Sequence, residues 1–185
     1  MEKTGVQKLA KVLKILVVIT FICNLLALPF VGFLAKSRIY EWAALGNAVD
    51  ILNYDLDDGL AYLFAIDARR PDTLALTLFL LVCGICTAII LWQAKRVLNS
   101  ILYERPFQLE NADNMRRSAV CCFVISAAAL LRLVWNVLYY SSVQTLFTYN
   151  TLFIPIFLMG GLVLLVMSAL FRQSAEIKAE NDMTI

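Results

Sequence analysis

The chain has 185 residues, of which 61% are hydrophobic and 16% are charged. That balance is too apolar for an ordinary soluble domain, and the formal net charge of +2 says little about partners. The sequence contains no histidine, which excludes histidine-ligated haem, histidine-containing metal sites and histidine as a catalytic base.

Four apolar runs are each long enough to cross a bilayer as a helix. A hydrocarbon core of roughly 30 Å needs about 20 mostly apolar residues, and in lipid a helix satisfies its own backbone donors and acceptors. The first run is longer than the apolar part of a cleaved signal peptide, so we expect it to stay as a helix. The sequence therefore predicts one all-α domain over residues 1–185, with transmembrane helices at residues 12–34, 73–92, 119–140 and 151–170.

Lysine and arginine are distributed unequally between the segments that flank these runs. Eleven lie in the N-terminal segment, between the second and third runs, or in the C-terminal tail, whereas four lie in the segment after the first run. By the positive-inside rule we expect both termini and the connection between helices 2 and 3 in the cytoplasm. Residues 35–72 would then lie outside.

This outer loop, residues 35–72, is too short for a core of its own. Its apolar residues recur at helical spacing, which predicts a short amphipathic segment in the membrane interface. Asp55, Asp57 and Asp58 suggest a divalent-ion site, but Gly59 stands one position early for the calcium-loop pattern and no closing glutamate follows. We favour a solvated acidic turn and predict no bound metal.

Cys83 and Cys86 form a CxxC pair on the second predicted span, which places both thiols on one face of a helix. Cys83 lies ten residues, or about 15 Å, from the start of that span, where the thiolate that redox chemistry needs is disfavoured. We expect the cysteines to be buried small apolar side chains. With no carboxylate in the spans, no phosphate-binding glycine loop and no nucleophile elbow, the sequence predicts a non-enzymatic protein without a cofactor.

One charged side chain, that of Arg132, falls inside a predicted span. An arginine at mid-helix costs about 2.5–3.5 kcal/mol on insertion scales, so it marks a candidate polar site. Asn136, one turn further out, and Asn24, in the first span, are the candidate partners for its donors. Two interpretations are open: structural pairing or snorkelling, and a role in sensing a ligand or partner.

The second predicted helix continues past the bilayer and then turns back, because proline disfavours helix at the residue before it. Residues 93–118 are therefore expected to form a cytoplasmic helical hairpin that is basic and partly apolar. Its candidate docking residues are Arg105, Pro106, Phe107, Arg116 and Arg117. A solvated loop that carries the positive-inside charge is the alternative.

Three short motifs stand in the hairpin and at the C-terminus. They are Glu104-Arg105-Pro106-Phe107, Glu110-Asn111 with Arg116-Arg117, and Ala179-Glu180-Asn181-Asp182-Met183-Thr184-Ile185. In these motifs, and over essentially the whole chain, the sequence resembles the small bacterial membrane proteins of domain-of-unknown-function family 2975. The resemblance implies a multi-pass protein of the bacterial cytoplasmic membrane, often encoded beside a very small helix-turn-helix regulator. The family defines no catalytic residues.

We therefore expect a regulatory membrane protein that binds or sequesters a small helix-turn-helix transcription factor at its cytoplasmic face. The chain has no DNA-reading element of its own, because its basic residues flank membrane helices, and no direct nucleic acid binding is expected. The alternative function is a small transporter or lipid-interacting membrane component that uses Arg132 and the outer loop. The lipid bilayer is the expected surrounding, and a homo-oligomer is compatible with the sequence.

Overall fold

The computed structural model describes residues 5–32, 71–103, 107–140 and 149–183. Four long helices account for nearly all of these residues: α1 (Gly5–Ala27, followed by a 3-10 turn Leu28–Phe30), α2 (Pro71–Leu102), α3 (Leu109–Tyr140) and α4 (Tyr149–Met183). Each contains a stretch long and apolar enough to cross a membrane. The prediction of an all-helical chain with four spans is confirmed, and the four helices indicate a multi-pass membrane protein.

The last three helices are longer than a bilayer requires. Helix α2 has 32 residues, or about 48 Å at 1.5 Å per residue, against a hydrocarbon core of roughly 30 Å. Helix α3 has 32 residues and α4 has 35. The apolar runs predict only the lipid-covered part of each helix, whereas the polar continuation keeps its helical hydrogen bonds in water. Proline stands at the first position of α2, where it removes no helical hydrogen bond.

The helices pack in chain order. Helix α1 packs mainly against α2, α3 lies between α2 and α4, and the α3–α4 contact is the most extensive. None of the most apolar window of α1 is buried, against 39% of that of α3, so α3 is the central helix. The packed centre consists of Cys86, Cys121 and Ile125, with Cys83, Ile90 and Phe157 around them.

Helices α1 and α2 run antiparallel in a constant register. The ring centroids of Phe21 and Trp92 lie 5.7 Å apart. Towards the other end, Leu28 packs so closely over Gly84 that a Cβ atom on that glycine would meet Leu28 Cδ2 at 2.7 Å. In both pairs the two residue numbers add to nearly the same value, which fixes the level of every α1 residue along α2.

Helices α3 and α4 are joined by hydrogen bonds from serine side chains. Ser168 Oγ donates to the carbonyl oxygen of Ala112 at 2.7 Å, and Ser126 Oγ donates to that of Ile154 at 3.0 Å. Hydrogen bonds of this kind between membrane helices are worth about 0.6 kcal/mol on average. They tie the two helices together at two levels about 14 residues apart on each helix.

A glycine allows the closest approach between α3 and α4. Gly161 is buried against the ring of Phe123, and a Cβ atom at this position would lie 2.9 Å from Phe123 Cε1. The neighbouring Gly160 has no atom within 4 Å of the corresponding point. Only one of the two adjacent glycines therefore sets the helix spacing.

Part of the sequence-based interpretation concerns residues outside the described ranges. The predicted amphipathic outer loop, with Asp55, Asp57 and Asp58, lies there, so the choice between an acidic turn and an ion site stays a prediction. The placement of both termini in the cytoplasm also stays a prediction.

Candidate functional site

The charged side chains of the described helices gather at one end of the bundle. Apart from Asp72 and Arg132, those within the described ranges lie near the start of α1 or α3 or near the end of α2 or α4. The antiparallel packing brings these four helix ends together. We call this end of the bundle the hairpin end. Its α2–α3 part consists of residues 93–103, at the end of α2, and 107–118, at the start of α3.

A cavity of about 450 Å³ lies between α2 and α3 at this end. We call it the hairpin cavity, and every residue that lines it carries a polar side chain: Arg96, Asn99, Ser100, Tyr103, Gln108, Glu110, Asn111 and Asn114. A ligand in this cavity would be held by hydrogen bonds and charges, whereas small-molecule sites are usually lined mostly by apolar side chains. The hairpin cavity is therefore suited to a polar group.

A short chain of hydrogen bonds fixes the shape of the hairpin cavity. Asn111 Nδ2 donates to Ser100 Oγ at 2.5 Å, and Ser100 Oγ donates in turn to the carbonyl oxygen of Val97 at 2.9 Å. At the mouth, Arg96 Nη1 and Glu110 Oε1 lie 3.8 Å apart, and both side chains are well exposed. An exposed ion pair contributes about 1 kcal/mol at most, and the part-buried serine–asparagine hydrogen bond contributes a net amount of about the same size.

Two amide side chains of this cavity have hydrogen-bonding capacity to spare. Asn114 is 2% exposed, and its Nδ2 has no hydrogen-bond partner in the described part of the chain. The Oδ1 atom of Asn99 is buried and unpartnered among the same residues. Both residues line the hairpin cavity, so a polar group that entered it would find a hydrogen-bond acceptor on Asn99 and a donor on Asn114.

Aromatic and aliphatic surface is exposed at the hairpin cavity and beside it. Tyr103 is 76% exposed, Phe107 49% and Leu109 55%. The Phe107 ring packs against Phe171 of α4, with centroids 6.0 Å apart and planes tilted by 41°. Half of the Phe107 side chain stays accessible in this arrangement.

The remaining predicted docking residues are placed only in part. Arg116 and Arg117 lie on the exposed face of the first turns of α3. Arg105 and Pro106 lie outside the described residues, so their role stays a prediction.

The intramembrane arginine has an aromatic neighbour. Arg132 Cζ lies 4.9 Å from the centroid of the Phe79 ring on α2. A cation over a ring face is worth about 0.5–2 kcal/mol, with the larger values for desolvated pairs. Phe79 was missing from the sequence-based interpretation, because no spacing within one helix indicates a contact between two.

The two predicted partners of Arg132 are placed differently. The register of α1 against α2 puts Asn24 level with residue 89 of α2, ten residues or about 15 Å from Phe79 along the helix axis. The structure therefore does not bring Asn24 and Arg132 together. Asn136 is half-buried one turn from Arg132 on α3, and a contact between these two stays a prediction.

Comparison with known proteins gives the chain a family. The family described as a protein of unknown function (DUF2975) matches residues 54–185. The chain belongs to the DUF2975 family. The suspected resemblance is thus confirmed, over a range that contains α2, α3 and α4 and begins after α1. No curated protein and no solved structure matches the chain.

The polar residues that line the hairpin cavity of this DUF2975 protein were not predicted from the sequence as a site. A usable signal was present. Asn111, Asn114 and Ser118 follow at intervals of three and four residues, which places three polar side chains on one face of a helix. All three are buried, so that face of α3 points into the protein.

The thiols of this DUF2975 protein follow the helix packing. Cys86, Cys121 and Cys122 are buried, and Cys86 and Cys121 pack in the same apolar cluster between α2 and α3. Cys23 is exposed, contrary to the expectation of burial, because α1 has few neighbours besides α2. Among the described residues, no three histidine, cysteine or acidic side chains are placed to hold a metal ion.

Proposed function

We propose that this DUF2975 protein is a regulatory membrane protein that holds a small helix-turn-helix transcription factor at its hairpin end. One observation carries the proposal: Tyr103, Phe107 and Leu109 expose apolar surface where the helices extend past the bilayer. Within the spans, lipid covers exposed apolar side chains. At the hairpin end water would face these three side chains, and a partner that covered them would remove apolar surface from water.

The proposal includes the orientation of the chain. The hairpin end carries Lys95, Arg96, Arg116 and Arg117 on α2 and α3, and an excess of lysine and arginine is typical of cytoplasmic segments. The exposed apolar side chains of this end would then face the cytoplasm, where a transcription factor is available. Holding such a factor at the membrane would keep it from DNA until a signal releases it.

The surface chemistry indicates how a partner would bind. The half-exposed Phe107 ring is suited to act as the central anchor, because aromatic side chains in desolvated pockets commonly contribute 2 kcal/mol or more. Exposed arginines around it would favour an acidic partner surface and speed association more than they tighten it. In the hairpin cavity, Asn99 Oδ1 would accept a hydrogen bond from a polar side chain of the partner, and Asn114 Nδ2 would donate one.

The location of the regulator in cells tests the proposal. The proposed helix-turn-helix partner is tagged and expressed with the full chain, with a chain truncated after Arg172, or alone. We expect the regulator in the membrane fraction with the full chain and in the cytosol when it is expressed alone. The truncated chain keeps Phe107 and Phe171 but lacks the end of α4 beside them, so we expect it to hold less of the regulator. An equal distribution between membrane and cytosol in all three strains would contradict the proposal.

A further inference from the structure

A second cavity lies at the hairpin end, on the other side of Asn99. It has a volume of about 430 Å³ and lies between α1 and α2, where Lys11, Lys14, Ile15, Val18, Asn99 and Leu102 are among the lining residues. We call it the α1–α2 groove. Most of the exposed surface of α1 belongs to apolar side chains, so the two lysines are a local interruption in an otherwise lipid-compatible face.

The register of the two helices gives the depth of this groove. Phe21 and Trp92 are in ring contact, and Lys14 and Asn99 each lie seven residues from that contact towards the hairpin end. Both are therefore about 10 Å past the Phe21–Trp92 level. Tryptophan is enriched at the membrane–water interface, and lysine side chains can bend back towards it. The ammonium groups of the groove thus lie within reach of the lipid headgroup layer.

The groove has a basic part, which carries Lys11 and Lys14, and an apolar part, which lies closer to the Phe21–Trp92 contact. Lys11 and Lys14 are three residues apart and so share one face of α1, and neither has a carboxylate partner within the described ranges. One turn deeper, Ile15 and Val18 line the wall on the same helix. A ligand that fits both parts carries a negative charge at one end and hydrocarbon at the other.

We propose that the α1–α2 groove binds an anionic phospholipid from the leaflet at the hairpin end. The phosphate lies between Lys11 and Lys14, the headgroup approaches Asn99, and the start of an acyl chain follows Ile15 and Val18. Basic pockets between membrane helices bind anionic headgroups in this way. The apolar part of the groove distinguishes a lipid from a free phosphate, which would gain nothing from it. This inference does not depend on the proposed partner.

Native mass spectrometry of the purified full-length chain tests the assignment. The probes are phosphatidylglycerol and phosphatidylcholine with identical acyl chains, and glycerol 3-phosphate as a soluble anion without acyl chains. We expect phosphatidylglycerol to bind at least tenfold more tightly than either. Each lysine near an anionic headgroup contributes about 1 kcal/mol, so Lys11→Gln/Lys14→Gln should weaken phosphatidylglycerol binding about thirtyfold.

Two matched variants control for charge and for folding. Lys8→Gln/Lys178→Gln removes the same charge from exposed positions outside the groove, and we expect binding within threefold of the original chain. Lys11→Arg/Lys14→Arg keeps the charge in the groove, and we expect it to retain binding. Equal affinity of the original chain for both phospholipids would overturn the inference, as would an equal loss in the Lys8 and Lys11 double variants. Glycerol 3-phosphate binding as tight as that of phosphatidylglycerol would also overturn it, in favour of a soluble anion.

Discussion

The contact of Gly161 with Phe123 predicts that two adjacent glycines respond oppositely to the same substitution. A Cβ atom at Gly161 would lie 2.9, 3.1 and 3.1 Å from three atoms of the Phe123 ring, whereas carbon atoms pack favourably at about 3.5–4.0 Å. Overpacking of this kind costs about 1–3 kcal/mol. At Gly160 a Cβ atom meets nothing within 4 Å.

Both substitutions gain helix propensity of about 1 kcal/mol, and this gain cancels when the two variants are compared. Gly161→Ala should therefore be about 1–3 kcal/mol less stable than Gly160→Ala. The difference is measured by equilibrium unfolding of both variants in mixed detergent micelles under identical conditions. Adding Phe123→Leu to Gly161→Ala should recover part of the loss, because the two sites are in contact and their effects are not additive.

Equal stabilities of the two glycine variants, to within about 0.5 kcal/mol, would refute the reasoning. So would a double variant that simply adds the costs of its two substitutions, since additivity is expected of residues that do not touch. Either result would mean that α3 and α4 do not approach each other at Gly161.

Two further predictions concern the membrane topology and the buried charge. In a cysteine-free background, a membrane-impermeant maleimide applied from outside should label Ser37→Cys but neither Asn99→Cys nor Ser174→Cys. External labelling at Asn99→Cys would contradict the predicted orientation. Arg132→Leu should leave stability within about 1 kcal/mol, because the saved desolvation of the charge offsets the lost contact with Phe79. Arg132→Glu should lower the melting temperature measured by circular dichroism, and an Arg132→Leu chain that folds but no longer responds in cells would place Arg132 in a sensing site.

The membrane spans could be predicted from the sequence because they depend on one property, sustained apolarity over about 20 residues. The ends of the helices could not be predicted in the same way. Hydropathy ends the second apolar run at Trp92, whereas α2 continues to Leu102 and α3 begins at Leu109. The expectation of a helical hairpin in this region came from the proline and not from hydropathy. Hydropathy marks only the residues that lipid covers, and α2, α3 and α4 are each longer than the hydrocarbon core is thick.

Contacts between helices were the least predictable part. The sequence showed Arg132 as a buried charge, but its aromatic neighbour lies 53 positions earlier in the chain. An adjacent pair of glycines permits close approach at either residue, and only the packing of Phe123 shows that Gly161 is the one that matters. The Phe107 contact with Phe171 likewise depends on how α4 returns to the hairpin end.

The hairpin cavity could be predicted from the sequence only in part. The spacing of Asn111, Asn114 and Ser118 indicates a polar helix face, so this face could have been predicted from the sequence. Its partner side chains Asn99 and Ser100 lie across the turn on α2. Pairing the two faces requires the register between α2 and α3, and periodicity within one helix does not contain it.

The affinity between the full chain and the proposed helix-turn-helix partner tests the central claim most directly. Binding is measured by biolayer interferometry with the chain in lipid nanodiscs. The samples are the original sequence, Phe107→Ala and the matched control Phe30→Ala. The control truncates a partly exposed phenylalanine just after α1, at the opposite end of the bundle. Loss of a desolvated anchor of 2 kcal/mol predicts about thirtyfold weaker binding for Phe107→Ala. Phe30→Ala and Glu104→Ala should stay within threefold, because loss of a single surface charge usually costs little affinity. Undiminished binding by Phe107→Ala, or an equal loss in Phe30→Ala, would contradict a docking surface at the hairpin end.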